Sequence, residues 1–510
     1  MKHVPRTLCT QHPDYANVPQ WVMGDFIQGD DEVHEAYLAY SYYGCHEVMW
    51  DFEGKDADIY VVRKLLSKYS DFFRGHVLGE DVYLTLRLPN PWVEVAERKV
   101  FVEALELIPT ANDVAREFYG RDVNAVFQVI LPLTSKPEDL IITHMYYKKV
   151  VVGKEGIELI PGVKVLDIIG EVKPRFIDVI PLIEDLNSML NVDRIITGYW
   201  KVVRPRYVRL FIARSDPAMN YGLIPAVLMA KVALSRALTL GSELGLPIYP
   251  MIGVGPTPFR GHLNPLNVNG VLREYPCVYT FTIQSAFRYD YPDDTVKKAI
   301  DYINNHEIPG QCQVVDEAEV INVISKYIGN YQGEVEGLAN LINTVSQFIP
   351  PRRTRKLHVG LFGYSRGFRG VTLPRAITFV GALYSVGLPP ELMGLRTLRK
   401  LSDGEFNAIV ENYLAWRFDV AAAAKYACWE CIDMIREGAG KLGVSVEALN
   451  SYIEDLKTAE ELGIHVGPSD YESRKHVLYS QLLINSLIDG KTHDVRQYVS
   501  EMMRIRHAVG

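Results

Sequence analysis

Eight short runs of apolar, largely β-branched or aromatic residues recur along this chain with helical stretches between them, and no other feature narrows the fold as far. They are Cys45–Phe52, Val82–Leu88, Ala125–Leu133, Phe176–Ile183, Val208–Ala213, Pro247–Val254, Val278–Ile283 and Leu357–Phe362. Within each run the apolar residues are nearly continuous, not alternating. That suits strands covered on both faces, as in a parallel sheet wrapped by helices. Eight such strands with helical crossovers predict an α/β fold, a closed (βα)8 barrel of the TIM type.

The connecting segments support this reading. Ala218–Leu244 is helical in pattern, with Pro225 near its start, where a missing N–H is tolerated. The gap between the seventh and eighth runs is long and holds two helical stretches, Asp294–Ile308 and Ala318–Gln347, so an insertion is expected there. After Arg375 the strand signals stop. The remainder reads as helices, with a capping box at Ser469-Asp-Tyr-Glu472 and a stop at Gly490. No Pro/Gly/Ser-rich linker precedes it. The chain is therefore expected to be a single structural unit, a barrel over residues 1–370 carrying the site and a helical C-terminal extension, 371–510, packed on it.

Composition excludes several classes. A formal net charge of -8 offers no general attraction to nucleic acid or anionic lipid, so any anion site must be built locally from clustered arginines. The most apolar long stretch, Gly222–Gly241, carries Lys231 and Arg236, each of which a bilayer would penalise by roughly 2.5 kcal/mol or more. It reads as a buried helix, and no membrane partner is expected. Met1–Pro19 lacks an apolar core, so a cytoplasmic location is expected. Of six cysteines only Cys428 and Cys431 form a C-x-x-C, inside a strongly helical run and with no second Cys/His pair. They are expected to be packing residues on a helix away from the site, with a disulfide only in a hyperthermophilic source.

In such barrels the chemistry sits at the C-terminal ends of the strands. The residues just after the eight runs are unusually polar: Asp51-Phe-Glu53-Gly-Lys55, Arg87, Thr134-Ser-Lys136, Glu184-Asp185, Arg214-Ser-Asp216, the segment Gly253 to Arg260, Gln284 to Arg288, and Ser365-Arg366-Gly-Phe-Arg369. Any one of them alone is more simply a rim charge. Together, carboxylates supply hard oxygen ligands for Mg²⁺ or Mn²⁺, and arginines supply forked donors for phosphate and carboxylate. One cation and several arginines in one mouth point to a small, highly anionic substrate. The third glycine of a dinucleotide fingerprint is absent after Gly253-Val-Gly255, and neither a P-loop, an H-E-x-x-H nor a G-x-S-x-G motif occurs.

These segments carry a family resemblance. Thr10-Gln-His12-Pro-Asp14 resembles the T-x-H-P segment of phosphoenolpyruvate carboxylases. Ile180-Pro-Leu-Ile-Glu184 and Arg214-Ser-Asp216-Pro-Ala-Met-Asn-Tyr-Gly222 are similar to the two segments that supply that family's metal carboxylates. Phe259-Arg260-Gly261 resembles its mobile G-R-G loop and Leu86-Arg87 its strand arginine. Ser365-Arg366-Gly-Phe-Arg369 with Leu373-Pro-Arg375-Ala-Ile377 resembles its two later arginine motifs. The length matches the short archaeal group. The long enzymes differ in carrying two further basic residues where this chain has Gly253-Val-Gly255, and a lysine and an aspartate where it has Met219 and Asn220.

The resemblance implies conversion of phosphoenolpyruvate and bicarbonate to oxaloacetate and phosphate through carboxyphosphate and a metal-stabilised enolate. It places Mg²⁺ (or Mn²⁺) on Glu184 and Asp216. Arg87, Arg366 and Arg375 fall to substrate binding, and His12, Arg260 and Arg369 to catalysis, with Arg260 on a loop that closes after binding. His12, with an ordinary pKa of about 6.5, would take the carboxyl proton of carboxyphosphate. His46, His76, His262 and His358 are expected to be structural, His262 being the exception to watch because it follows the Arg260 loop. A homotetrameric, allosteric enzyme is implied as well, the helical extension offering an interface. The competing reading is a Mg²⁺-dependent C–C lyase of the isocitrate-lyase or citramalyl-lyase kind, whose K-K-C-G-H signature is absent. A binding protein on a dead barrel should have lost the mouth arginines or a metal carboxylate.

Overall fold

Eight parallel strands close into a barrel in the computed structural model, which describes residues 1–308, 312, 314–354, 366–368 and 370–510. The strands are β1 (Thr7–Cys9), β2 (Glu47–Asp51), β3 (Tyr83–Arg87), β4 (Gln128–Leu131), β5 (Asp178–Ile183), β6 (Val208–Ala213), β7 (Ile248–Gly253) and β8 (Thr280–Ile283). Neighbours in sequence are neighbours in the barrel, and β1 pairs with both β2 and β8.

Seven of the strands, β2 to β8, fall inside expected runs. The eighth place is a correction. It belongs to β1, and Leu357–Phe362 lies outside the described residues while the barrel closes without it. Three residues with a single leucine give no apolar run to detect. What specifies β1 is pairing at a distance, Leu8 opposite both Thr282 and Glu47, and a disulfide from Cys9 to Cys45 just ahead of β2.

The other cysteines pair too, Cys277 with Cys312 and Cys428 with Cys431; for Cys428 and Cys431 the disulfide expected only in a hyperthermophilic source replaces plain packing. Cys428 caps the helix Trp429–Glu437, and the turn from cap to third residue brings the two Cα atoms to 5.1 Å, within bridging range.

Inside the barrel an apolar plug of Leu8, Met49, Ile130, Ile180, Leu182, Phe211 and Met251 separates two polar layers. The layer at the strand N-termini is built on Arg209. Its Nη2 lies 2.6 Å from Glu47 Oε2, both side chains fully buried, and its Nη1 donates to Gln128 Oε1 at 2.8 Å. Removing one partner would strand the other charge in a dry interior. Arg209→Leu is therefore expected to cost about 3–5 kcal/mol in a denaturant melt, with part of it recovered in Arg209→Leu/Glu47→Leu. A single variant as stable as wild type would refute the ion pair's structural role.

The helical segments follow the pattern with small shifts. The stretch expected as Ala218–Leu244 is two helices, Ser215–Tyr221 and Leu223–Leu244, split at Gly222. There φ is +96° and a Cβ would sit 2.9 Å from the Tyr327 ring. Leu223–Leu244 is long and apolar enough by composition to cross a membrane, but most of it is buried, and its cations are paired, Lys231 with Glu274 and Arg236 with Glu317. The two helices expected as an insertion ahead of the last strand, Asp293–Asn305 and the 30-residue Glu317–Ser346, instead follow the last barrel strand, β8, which corrects that expectation. That long helix packs on Leu223–Leu244 and on helices Ala376–Ser385, Asp403–Asn412 and Val446–Glu461, joining the barrel to the helices that follow. The helix Tyr471–Ile488 is capped by Asp470, reciprocally with Ser473, and not by the Ser469/Glu472 pair.

Candidate active site

A cavity of 330 Å³ opens at the C-terminal ends of the strands and is lined by His12, Arg87, Asp216, Arg260 and Arg375, among others. Each arrives from a different part of the chain. Arg87 ends β3, His12 lies three residues past β1, Asp216 sits in the first turn of the helix after β6, Arg260 ends a 3-10 turn after β7, and Arg375 caps helix Ala376–Ser385.

Arg87 is held by two carboxylates. Its Nε and Nη2 donate to the two oxygens of Asp51 at 2.8 and 2.7 Å, and Nη2 lies 2.8 Å from Glu53 Oε2. Burial disfavours the charged guanidinium, but Asp51 and Glu53 outweigh it and raise its pKa. Glu53 also faces Arg375, 3.4 Å from its Nη2. One carboxylate thus spaces two arginines.

Arg260 is almost fully buried. Its Nε donates to Ser215 Oγ at 3.1 Å, Nη1 to the Gly510 carbonyl at 2.6 Å, and Nη2 to Gln284 Oε1, while Asp14 Oδ2 lies 3.5 Å from Nη1. The loop that delivers it needs its glycines: a Cβ on Gly255 would meet the Arg260 guanidinium at 2.8 Å, and Gly261 adopts φ +112°. Phe259 N donates to buried Glu391, which also accepts from Tyr384.

His12 is half-buried, and its Nδ1 shares a 2.6 Å hydrogen bond with Thr10 Oγ1. Behind it, Lys55 binds both Gln11 Oε1 and Glu32 at 2.8 Å, and Ala286 N donates to Asp14. The segment carrying His12 is pinned on both flanks.

Glu184 is the first residue after β5, and β5 and β6 pair with Ile183 opposite Ile212, so Glu184 and Asp216 leave neighbouring strands at the same barrel end. Glu184 is buried, accepts from Leu133 N at 2.7 Å and acts electrostatically on Arg87. Among the described residues no cluster of three or more His, Cys, Asp or Glu forms a metal cage. Asp216 lines the cavity while Glu184 is buried and outside its lining; leaving neighbouring strands at the same end, the two are oxygen donors of the kind a hard cation takes while water and substrate oxygens complete its shell.

Two expected residues are not placed. Arg366 lies in a hairpin strand, Arg366–Phe368, paired with Val371–Leu373, and its side chain is outside the described residues, as is all of Arg369. His262 is not in this cavity's lining. Its Nδ1 lies 2.5 Å from Asp419 and its ring stacks on Phe418.

The geometry also reveals Glu94, which sequence reading passed over, and a role for the turn after Arg375, which sequence reading takes only as part of a motif. Glu94 is buried, accepts from Asn90 N at 2.5 Å, and has its Oε1 without a hydrogen-bond partner. Burial and then the charge of Glu53 push its pKa up to about 8, against the pull of Arg87 and Arg375. Ala376, Ile377 and Thr378, the first turn of a ten-residue helix, line the cavity and add the positive end of its dipole. Neither feature leaves a spacing signal in the sequence.

A parallel (βα)8 barrel with arginines, a histidine and carboxylates gathered at the strand C-termini has the architecture of the TIM-barrel enzymes, with polar groups where that fold carries its active sites. A family model described as phosphoenolpyruvate carboxylase matches residues 4–510. The chain is 58% identical to the phosphoenolpyruvate carboxylase of Caldivirga maquilingensis and 52% to that of Metallosphaera sedula, covering 100% of both chains in each case. It is 45% identical to that of Picrophilus torridus over 99% of both. The chain belongs to the phosphoenolpyruvate carboxylase family.

Proposed function

We propose that this chain carboxylates phosphoenolpyruvate with bicarbonate, and that the residues around the 330 Å³ cavity carry the reaction. The observation that carries the reading is the convergence of His12, Arg87, Asp216, Arg260 and Arg375 on one cavity in a chain of this family.

Arg87 and Arg375, spaced by Glu53, receive the substrate phosphate, with the amides of Ala376 to Thr378 alongside and Arg366 assigned to the same task by resemblance. A bicarbonate oxygen attacks phosphorus, and the bond to the enol oxygen breaks, giving carboxyphosphate and the enolate of pyruvate. A divalent cation, Mg²⁺ or Mn²⁺, held by Glu184 and Asp216 would supply electrostatic stabilisation of the enolate oxygen and substrate carboxylate. Arg260 and, by resemblance, Arg369 balance the charge of carboxyphosphate and of the phosphate released.

With Nδ1–H given to Thr10 Oγ1, His12 takes the carboxyl proton of carboxyphosphate at Nε2. The C–O bond to phosphate then breaks to give CO₂ and phosphate, and the proton returns to the phosphate. The enolate carbon attacks CO₂ and forms oxaloacetate. Because Arg260 is already buried and hydrogen-bonded, its loop is read as preorganised in its inward position.

The test is to follow oxaloacetate and phosphate together from phosphoenolpyruvate and bicarbonate. Stoichiometric, bicarbonate-dependent formation of both supports the reading. Cleavage of a hydroxy acid with no consumption of phosphoenolpyruvate would instead favour the lyase. Family likeness further supports a cytoplasmic, homotetrameric, allosteric enzyme. It also fits a barrel over 1–370 and an extension over 371–510 acting as one unit.

Glu94 gives the site a pH limit. Below about 8 its carboxyl is neutral; above, a new negative charge appears beside Glu53 and weakens the grip of Arg87 and Arg375 on the phosphate. KM for phosphoenolpyruvate is expected to rise several-fold as pH passes through that value, with kcat less affected. Glu94→Gln, fixed in the neutral form, should remove the rise. An unchanged KM profile in the variant would show that another group sets the limit.

A further inference from the structure

The segment that carries His12 leaves the barrel after Thr10, whose N–H donates to the Ile283 carbonyl at 3.1 Å, and residues 10–29 belong to no helix or strand. Its carbonyls therefore need partners from elsewhere. Arg288 Nη2 donates to the Thr10 carbonyl at 2.7 Å, and Arg353 Nε to the His12 carbonyl at 3.4 Å. Between these two, Lys55 donates to the side chain of Gln11. Three cations thus grip three consecutive residues.

All three cations are held by one helix. On Asp30–Ser41, the buried Glu32 and Glu35 stand three residues apart, on one face. Glu32 pairs with Lys55. Glu35 accepts from Nη1 and Nη2 of Arg353 at 2.8 and 2.6 Å, from Arg288 Nη2 at 3.0 Å and from the Tyr289 hydroxyl at 2.7 Å. Arg353 and Arg288 also share Ser285 Oγ, at 2.9 and 3.3 Å. Glu35, Arg288 and Arg353 are each 2% exposed or less. Burial opposes a charge on Glu35, but the two arginines outweigh it and hold its carboxyl down at about 2. It stays an anion throughout the neutral range.

A buried ion cluster is poor evidence for stability alone, since apolar residues of the same volume often pack as well or better. What apolar residues cannot provide is N–H donors aimed at two backbone carbonyls, and a satisfied polar network of this kind is rigid. We propose that Glu35 is a positioning residue for His12: acting through Arg288 and Arg353, it fixes the backbone of Thr10 and His12, and so the direction of the imidazole, whose Nδ1 is tied to Thr10 Oγ1. Glu35 itself is outside the cavity lining, one layer behind the reacting groups. The inference rests on the reading of His12 as the group that takes the proton of carboxyphosphate.

Glu35→Gln keeps the size of the side chain and removes the charge that the two arginines share. With phosphoenolpyruvate and bicarbonate, the ratio of oxaloacetate to phosphate should fall about tenfold, pyruvate making up the difference, as a misdirected base implies. KM for phosphoenolpyruvate should hardly move, because Arg87 and Arg375 are held by other carboxylates. Adding Glu35→Gln to His12→Asn should lower the ratio no further, since a group that acts through His12 has nothing left to act on. Reaction of His12 with diethyl pyrocarbonate, followed by peptide mass spectrometry, reads its placement without reference to turnover. Its rate should change several-fold in Glu35→Gln, while that of exposed His493 does not. Glu47→Gln, which breaks the buried ion pair at the opposite barrel end, controls for lost stability and should move neither readout. Should Glu35→Gln fail to fold, Glu35→Asp keeps the charge but draws it back by one methylene, and is expected to show a smaller change of the same kind in both readouts. An unchanged His12 reaction rate in the folded variant, a wild-type product ratio where His12→Asn lowers it, or a double variant that falls below His12→Asn overturns the proposal. If His12→Asn itself keeps the wild-type ratio, the step assigned to His12 fails instead, and a changed reaction rate still places Glu35 behind its ring.

Discussion

Asp216→Asn is expected to lower kcat by about a thousandfold or more while leaving the fold in place. Asp216 stands in the first turn of helix Ser215–Tyr221, on the cavity wall, beside a serine that binds Arg260. The amide has the size of the carboxylate but lacks the charge that a divalent cation requires. Because the side chain faces the cavity and not the core, the melting temperature should move by only a degree or two. Binding gives a readout separate from turnover, since Mn²⁺ affinity measured by paramagnetic resonance should fall at least tenfold. Near-normal activity at saturating Mg²⁺ would mean that Asp216 is not a metal ligand.

His12→Asn is expected to separate the two halves of the reaction. Asn keeps a donor that can reach Thr10 Oγ1 but accepts no proton near neutral pH. The arginines and carboxylates of the first transfer are untouched, so bicarbonate-dependent phosphate release should continue at a reduced rate. Carboxyphosphate would no longer be split efficiently to CO₂ inside the site, and the stranded enolate would be protonated to pyruvate. Oxaloacetate should fall by about 10²-fold or more relative to phosphate, a typical loss for one general base. Quantifying phosphate, pyruvate and oxaloacetate from one reaction checks this. A wild-type ratio of oxaloacetate to phosphate would remove His12 from that step. Complete loss of phosphate release would move it to substrate binding or the first transfer.

The candidate residues were legible because a barrel converts sequence position into spatial position. A residue just past a buried parallel strand emerges at the C-terminal mouth, whichever strand it follows. That rule locates Arg87, Glu184 and Asp216 from the apolar runs ahead of them. His12 was different, since no apolar run precedes it and only its motif singled it out. The strand in front of it, β1, is three residues long and exists through its two neighbours. His262, expected to be structural although it follows the Arg260 loop by two residues, is held by Asp419 on a distant helix.

What the sequence determined by itself was the barrel, its helical wrapping and the chemical types gathered at its mouth, because these rest on local periodicity and on the order of elements. Tertiary structure alone decided which charges meet. Glu53 came to lie between Arg87 and Arg375, Glu94 entered a buried pocket beside them, and the guanidinium of Arg260 closed on Asp14, Gln284 and the carbonyl of Gly510. The three disulfides belong with these, since six cysteines allow many pairings and only the folded backbone brings the right Cα atoms together. Apart from Cys428–Cys431, three positions apart, each such contact joins residues tens to hundreds of positions apart. Its energy depends on burial and distance, which a linear pattern of residue types does not encode.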